Sequence, residues 1–269
     1  SQTRADSGTG GIMKIALVGF GKMGHMIKDA AVSLGHEVCV TVDSFAADAD
    51  VKNKDAEEAA RAVKSSGAQG VIEFTHPSAV VQNLKALVPL GLPLVVGTTG
   101  WADSEKEIGD LCASTGGTLV RSSNFSTGVN VFYKIVQEAV RLMNSYDEYD
   151  AAIWEAHHSQ KADSPSGTAL EIARRVMAEN PKKTKMVVDA FHQKPDASEL
   201  HVSSTRCGSI PGTHTVFFDS PADTIEITHR ARSRQGFAIG AVRALLALDK
   251  ALKTGKVQKG KIYSLEDLE

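Results

Sequence analysis

The sequence predicts an α/β fold: a doubly wound parallel sheet, followed by a second α/β domain with a mixed sheet. Three observations carry that expectation. A glycine-rich turn joins an apolar strand to an amphipathic helix over residues 14–34. Strand and helix signals then alternate as far as residue 125, as in parallel sheets built from strand–helix–strand units. Beyond it, strand-like segments are separated by long excursions, the pattern of a mixed sheet.

Residues 14–18 (KIALV) form a short continuous apolar run ending in glycine, which predicts a strand buried on both faces. Gly19, Phe20, Gly21, Lys22, Met23 and Gly24 form the turn, and the following helix runs through Leu34 and is closed by Gly35. Residues 37–42 predict the second strand, ending on Asp43, 24 positions after Gly19. This is the layout of a Rossmann-type dinucleotide site. Gly19 allows the tight turn, Gly21 lets a pyrophosphate approach the backbone, and Gly24 lets helix and strand pack closely. Asp43 can accept the two ribose hydroxyls of an adenosine. A glycine turn that binds nothing is the bland alternative, and the strand, helix and distal acid together argue against it.

Further strands are expected at 70–75, 92–96 and 118–120, with helices at 77–88 (Pro77 in its first turn) and 104–114. Gly97-Thr98-Thr99 and Ser122-Ser123-Asn124-Phe125 then fall at strand carboxyl ends, where ligands of such sheets bind and where a nicotinamide ring can be contacted. After Phe125 the sequence predicts a helix at 128–143, strands at 149–157, 200–205, 213–218 and 224–230, and a helix from 166 to about 178. A last apolar helix at 237–252 is expected to pack back on the first domain. The expected domains are 13–124 with 236–269, and 125–235. Residues 1–12 are polar, glycine-rich and aperiodic, and read as a disordered extension or tag remnant before a natural start at Met13.

Composition narrows the function classes. The chain has 269 residues, 42% hydrophobic and 23% charged, with a net charge of −2. It therefore carries no electrostatic footprint for nucleic acid or an anionic membrane, and no apolar run long enough to span a bilayer. Cys39, Cys112 and Cys207 are scattered and odd in number. They read as buried small hydrophobes in a reducing compartment, the cytoplasm, with no disulfide frame or zinc spacing.

Glu155-Ala156-His157-His158-Ser159-Gln160-Lys161 and Ser164-Pro165-Ser166-Gly167-Thr168 carry the chemistry. Two imidazoles and an ammonium precede a helix start, whose unpaired N–H groups and partial positive charge suit a carboxylate or phosphate. A titratable histidine beside an anion site suits protonation or reduction of a small carboxylated molecule. The same residues also fit a plain strand end and loop. Period-2 alternation puts Glu155 and His157 on one face of the strand and His158 on the other, so only one histidine faces a reacting molecule. The same geometry argues against Glu155, His157 and His158 jointly holding a metal.

Four segments in order resemble the 4-hydroxy-tetrahydrodipicolinate (dihydrodipicolinate) reductase family over nearly everything from Met13 onward. They are Glu155–His158 with Lys161 and Ser166–Thr168, Gly97-Thr98-Thr99-Gly100, residues 124–130 and residues 227–238. The resemblance implies NADH- or NADPH-dependent reduction to tetrahydrodipicolinate in lysine and diaminopimelate biosynthesis. It also implies an inserted substrate domain that assembles a homotetramer. It makes His157 and Lys161 the acid residues, and His158, Ser166, Gly167 and Thr168 the contacts to a small dicarboxylate. The chain departs from the family in its shorter glycine turn, G-F-G-K-M-G, and in the short segment between Asp43 and Asp55. Two other readings remain: another Rossmann reductase of amino-acid metabolism, disfavoured by the His157–Thr168 layout, and a dinucleotide-sensing regulator, disfavoured because no helix-turn-helix pattern appears.

Overall fold

The structure is a computed structural model and describes residues 11–269; of the expected extension, residues 1–10 lie outside the described residues, and Gly11 and Ile12 carry no helix or strand. The chain divides into two compact units, residues 11–122 with Ala238–Glu269, and Ser123–Phe237.

The first unit runs β1 (Lys14–Val18), α1 (Lys22–Ser33), β2 (Glu37–Val42), α2 (Ala56–Ser65), β3 (Gly70–Glu73), α3 (Val80–Leu87), β4 (Pro93–Val96), α4 (Glu105–Thr115) and β5 (Thr118–Arg121). Ile15, Ala16, Leu17 and Val18 are all buried, as a central parallel strand covered on both faces requires. β2 and β3 flank β1, and β4 and β5 follow outward on the β3 side, all parallel. The order reverses at β1, so a crevice opens between the carboxyl ends of β1 and β3. Two glycines make the turn after β1. Gly19 has φ +100°, and a Cβ on it would lie 1.8 Å from the Phe74 carbonyl oxygen. A Cβ on Gly24 would lie 2.4 Å from the Gly19 carbonyl oxygen, so α1 meets the turn only because both lack side chains.

α2 is an addition to the sequence reading. Asp55 caps it by accepting the Glu58 N–H at 2.8 Å, while the Glu58 carboxylate accepts the Lys54 N–H at 2.7 Å. The third helix starts three residues later than expected. Pro77 to Ala79 form a turn in which the His76 carbonyl accepts the N–H groups of Ala79 and Val80.

The second unit holds α5 (Thr127–Met143), β6 (Asp150–His157), α6 (Gly167–Glu179), β7 (Lys185–Val187), β8 (Glu199–Arg206), β9 (Thr213–Asp219) and β10 (Thr224–Arg230). The sheet order is β10-β9-β6-β8-β7, antiparallel from β10 to β6 and parallel from β6 to β7. α5 and α6 cover one face, packing Phe132, Val136, Ile172 and Val176 on Ile153, Val202, Val216 and Phe218. On the other face Ala152, Trp154 and Phe217 are only half buried.

α7 (Gln235–Lys253) then leads back to the first unit, where Leu245 and Leu248 are fully buried and Leu245 packs against Gly70. β11 (Ile262–Tyr263) adds a sixth parallel strand beside β5. Among the described residues no helix is long and apolar enough to cross a membrane. Of the three cysteines Cys112 is buried, where desolvation raises its thiol to about 11, and Cys39 is half buried. Cys207 corrects the expectation of burial: it is exposed, in the turn after β8, with its N–H donated to the His157 carbonyl.

Candidate active site

Each unit carries its own cluster of polar groups. In the first, a cleft of about 580 Å³ lies over the carboxyl ends of β1, β2 and β3. Gly21, Lys22, Met23 and Gly24 form one wall, Asp43 to Ala46 a second, and Phe74, Thr75 and His76 a third. Gly21 caps α1 with no side chain, no acidic residue sits in the first turn, and a Cβ on Gly21 would meet nothing within 4 Å. The turn thus leaves backbone N–H groups open to an anion, and these residues fit the pyrophosphate of a dinucleotide.

Asp43 ties the cleft together. One carboxylate oxygen accepts the Phe20 N–H at 2.7 Å; the other accepts the N–H groups of Phe45 and Ala46 at 2.7 and 2.8 Å. Burial opposes its ionisation, but these bonds outweigh it and lower its pKa, so it presents a fixed negative charge to the cleft. Phe20 itself is buried, with the His25 ring stacked 3.9 Å from its own. His25 bridges the Asp48 carboxylate at 2.6 Å and the Gly21 carbonyl at 2.7 Å, and the bond to Asp48 raises its pKa.

At the edge of this cleft Thr98 is buried, its hydroxyl accepting the Thr75 N–H at 2.8 Å and donating to Glu73 at 2.7 Å. Gly97 sits against the Phe74 ring, and Thr99 follows in the same loop. Ser122 ends the first unit and Ser123 begins the second.

In the second unit the strand β6 persists to His157, so alternation does place Glu155 and His157 on one face. Their side chains meet, His157 Nδ1 lying 2.6 Å from Glu155 Oε2. Glu155 is fully buried and accepts hydrogen bonds on both oxygens. Oε2 also takes Arg206 Nη1 at 2.9 Å, while Oε1 takes Arg206 Nη2 at 2.9 Å and the Ser166 N–H at 3.0 Å. Burial would raise this carboxyl, yet the bonds from His157, Arg206 and Ser166 hold it far below the ordinary range. An ionised carboxylate only accepts, so Nδ1 of His157 carries a proton and Nε2 faces away from Glu155. Gly212 leaves room there, since a Cβ on it would lie 3.0 Å from Nε2.

The same carboxylate fixes the entrance to α6. Ser166 caps that helix by accepting the Ala169 N–H at 3.1 Å, and its hydroxyl also meets His214 Nε2 at 3.1 Å. Burial, then the neighbouring His157, lowers His214 to about 3, so it stays neutral. No protein acceptor takes the N–H of Gly167 or Thr168 among the described residues. The Thr168 hydroxyl accepts from Asn124 Nδ2 at 3.4 Å, and Asn124 Oδ1 in turn accepts the Ser126 N–H at 2.9 Å. Phe125 is buried edge-on to Phe237, 5.6 Å between ring centres. Lys161 is paired with Asp163 at 2.8 Å, and its N–H is donated to the His158 carbonyl. His158 lies past the end of β6 and is half exposed.

The structure thus joins His157 to the Ser166–Thr168 helix start through one buried carboxylate. Arg206 and His214, which complete the arrangement, are not among the residues the sequence singles out. His214 pairs in register with Glu155 on one side and His229 on the other, so three ionisable residues form a row across β6, β9 and β10. Residue spacing within β9 carries no signal of this; only the strand register does.

The family model described as dihydrodipicolinate reductase, N-terminus, matches residues 13–125, and the one described as its C-terminus matches residues 128–268. A 4-hydroxy-tetrahydrodipicolinate reductase of Christiangramia forsetii is 37% identical over 256 residues, covering 95% of this chain and 97% of that one. The protein of the same name from Archaeoglobus fulgidus is 37% identical over 270 residues, covering 95% and 99%. Among solved structures, a dipicolinate-bound dihydrodipicolinate reductase from Paenisporosarcina sp. TG-14 superposes with a TM-score of 0.71 at 18% identity, covering 94% of this chain and 97% of that one.

Proposed function

The chain belongs to the dihydrodipicolinate reductase family, and we propose that its two units divide the family's reaction between them: the first holds the dinucleotide, the second holds and protonates the dicarboxylate. The reaction is NAD(P)H-dependent reduction of 4-hydroxy-tetrahydrodipicolinate, by way of dihydrodipicolinate, to tetrahydrodipicolinate in lysine and diaminopimelate biosynthesis. The reduced nicotinamide supplies the hydride.

In this reading Gly19 shapes the turn, Phe20 donates its N–H to Asp43, the open backbone of Gly21, Lys22, Met23 and Gly24 holds the pyrophosphate, and Asp43 faces the adenosine ribose. Gly97, Thr98, Thr99 and Ser122 to Phe125 serve the nicotinamide end. Asp43 repels a ribose 2′-phosphate, which favours NADH, whereas Lys22 offers a cation to NADPH. We assign NADH a use at least equal to that of NADPH.

The observation that carries the reading is the Glu155 clamp. Hydride addition to a conjugated imine leaves electron density that must take a proton, and that calls for an acid held beside an anchored substrate. Glu155 fixes both requirements at once. It orients His157 through Nδ1, leaving Nε2 for proton transfer, and it holds Ser166 so that the Gly167 and Thr168 N–H groups grip a carboxylate. Lys161 offsets the substrate's charge and shares the acid role, and His158 adds a contact. The Paenisporosarcina relative's bound dipicolinate is a ligand of this kind. The half-buried Trp154 and Phe217 on the uncovered sheet face support assembly of four chains through that face; light scattering should then give a tetramer, and a monomer would refute that part. The working compartment is the cytoplasm.

Substrate-dependent oxidation of NADH and NADPH, measured with freshly generated substrate, tests the reading. Pyridine-2,6-dicarboxylate should compete with the substrate. Competition with the dinucleotide alone would place the anion site elsewhere.

A further inference from the structure

His25, in the first turn of α1, touches both chain segments that wall the first unit's cleft. Its Nδ1 lies 2.7 Å from the Gly21 carbonyl oxygen, and its Nε2 lies 2.6 Å from an Asp48 carboxylate oxygen. Asp48 is exposed, and the bond from His25 lowers its pKa, so it is ionised near neutral pH. A carbonyl and an ionised carboxylate can only accept. Both ring nitrogens therefore carry hydrogen, and the ring is an imidazolium. The charges around it agree. Asp48 first, and then the Gly21 carbonyl, raise the imidazole above its usual 6.5. Asp29, one turn further along α1, and Asp43, at the end of β2, add attraction. Lys28 is a cation on the same helix, its ammonium 5.5 Å from the centre of the Phe20 ring.

Both partners of the ring belong to the cleft. The Gly21 carbonyl shares a peptide unit with the Lys22 N–H, one of the open donors at the start of α1. A charged donor on that carbonyl polarises the unit and strengthens its N–H toward an anion. Asp48 lies in the loop that continues from Asp43–Ala46, the second wall. Two ties thus join turn and loop. Asp43 makes the inner one, accepting the N–H groups of Phe20, Phe45 and Ala46. His25 makes the outer one, between Gly21 and Asp48. The Phe20 ring, stacked at 3.9 Å with 23° between the planes, holds the imidazole in place. The side chain is 45% exposed, so its charge follows the pH of the solvent.

Resting on the reading of that cleft as a dinucleotide site, we propose that His25 is a positioning residue of it, which as an imidazolium ties the phosphate turn to the ribose loop and on deprotonation gives up one of its two bonds. A neutral imidazole keeps a single ring hydrogen and can serve only one of the two acceptors. The charged ring therefore favours the bound dinucleotide. The sign follows from the raised imidazole: the contribution is present at low pH and is lost as the pH rises through the folded value, above 6.5. Asp43 and Asp48, both lowered, stay ionised throughout. By linkage, NADH raises the proton affinity of His25 by the same factor as protonation raises the affinity for NADH.

Calorimetric titration with NADH between about pH 6 and about pH 9, with the imidazole resonances followed by NMR, tests this. The wild-type Kd should rise about threefold across the range, the scale of an exposed ion pair. NADH should raise the proton affinity of the His25 ring about threefold, a readout that needs no variant. His25→Gln should bind weakly at every pH, without the dependence. His76 is exposed and also lines the cleft, and His76→Gln should keep the dependence. A flat wild-type Kd, an equal slope in His25→Gln, a slope lost in His76→Gln, or a His25 ring indifferent to NADH would overturn the proposal. Wild type binding no NADH at any pH would overturn the dinucleotide reading itself, and this proposal with it.

Discussion

Arg206→Met tests whether the second unit depends on the buried Glu155 clamp. The methionine keeps much of the length and apolar stem of arginine but removes both Nη contacts to Glu155, each 2.9 Å, and the 2.5 Å bond to the Asp163 carbonyl. Glu155 would then stay buried with His157 and the Ser166 N–H alone. With charge centres about 4 Å apart and an effective dielectric of about 20, the lost attraction is about 4 kcal/mol. Removing one partner of a buried pair costs about 3–5 kcal/mol, the same range. The pH dependence follows from the direction of the Glu155 shift. Its folded pKa lies below the ordinary value of 4.5, so the clamp contributes fully above that value and loses its contribution as the pH falls toward the folded pKa. Urea unfolding followed by circular dichroism should therefore show the full deficit of the variant at about pH 7, shrinking progressively below about pH 4.5. Replacing both partners, as Arg206→Met with Glu155→Leu, should recover most of the stability, because no charge is left buried. A deficit under about 0.5 kcal/mol at neutral pH, the behaviour of a surface pair, would refute the reasoning. So would a double variant no more stable than the single one.

Three further outcomes follow from the geometry. Gly19→Ala forces a Cβ to within 1.8 Å of the Phe74 carbonyl at φ +100° and should cost more than about 3 kcal/mol in a thermal melt, whereas Gly21→Ala, with open space, should melt normally and bind dinucleotide more weakly; a wild-type melt for Gly19→Ala would contradict the turn. Asp43→Ala should weaken NADH about tenfold and move the kcat/KM ratio toward NADPH, and an unchanged ratio would show that Asp43 serves only its three backbone donors. Thr168→Val removes the hydroxyl that Asn124 meets and should raise the substrate KM severalfold, about the effect of one lost hydrogen bond, and by more than it weakens the dinucleotide Kd; a larger change in Kd than in KM would misplace the helix start.

The parts of the fold that read directly from the sequence are those in which one local pattern decides. The continuous apolar run of β1, the glycine turn and the acid after β2 are set by burial on both faces and by steric limits within about 30 residues. α2 carries a readable signal, the Asp55 and Glu58 cap, before a weakly apolar segment. β7 and β11, of three and two residues, are too short to show a period and exist only through pairing with β8 and β5. At the site, Glu155 and His157 are two residues apart, and strand alternation alone aligns them. Arg206 and His214 reach the same carboxylate and the same serine from 51 and 48 residues away, and their neutral-looking surroundings in sequence give no sign of it. Cys207 departs from the expected burial because composition speaks to the average cysteine, while a turn between strands sets this one at the surface.

The central claim, that His157 and Lys161 supply the proton for a hydride transfer fed by the first unit, is tested most directly by turnover of His157→Ala and Lys161→Ala alongside their dinucleotide affinity. Each variant should lose about 10²-fold or more in kcat, the scale of general acid catalysis, with NADH Kd unchanged. Near-normal kcat in both variants, or a loss explained by weaker NADH binding, would contradict the account.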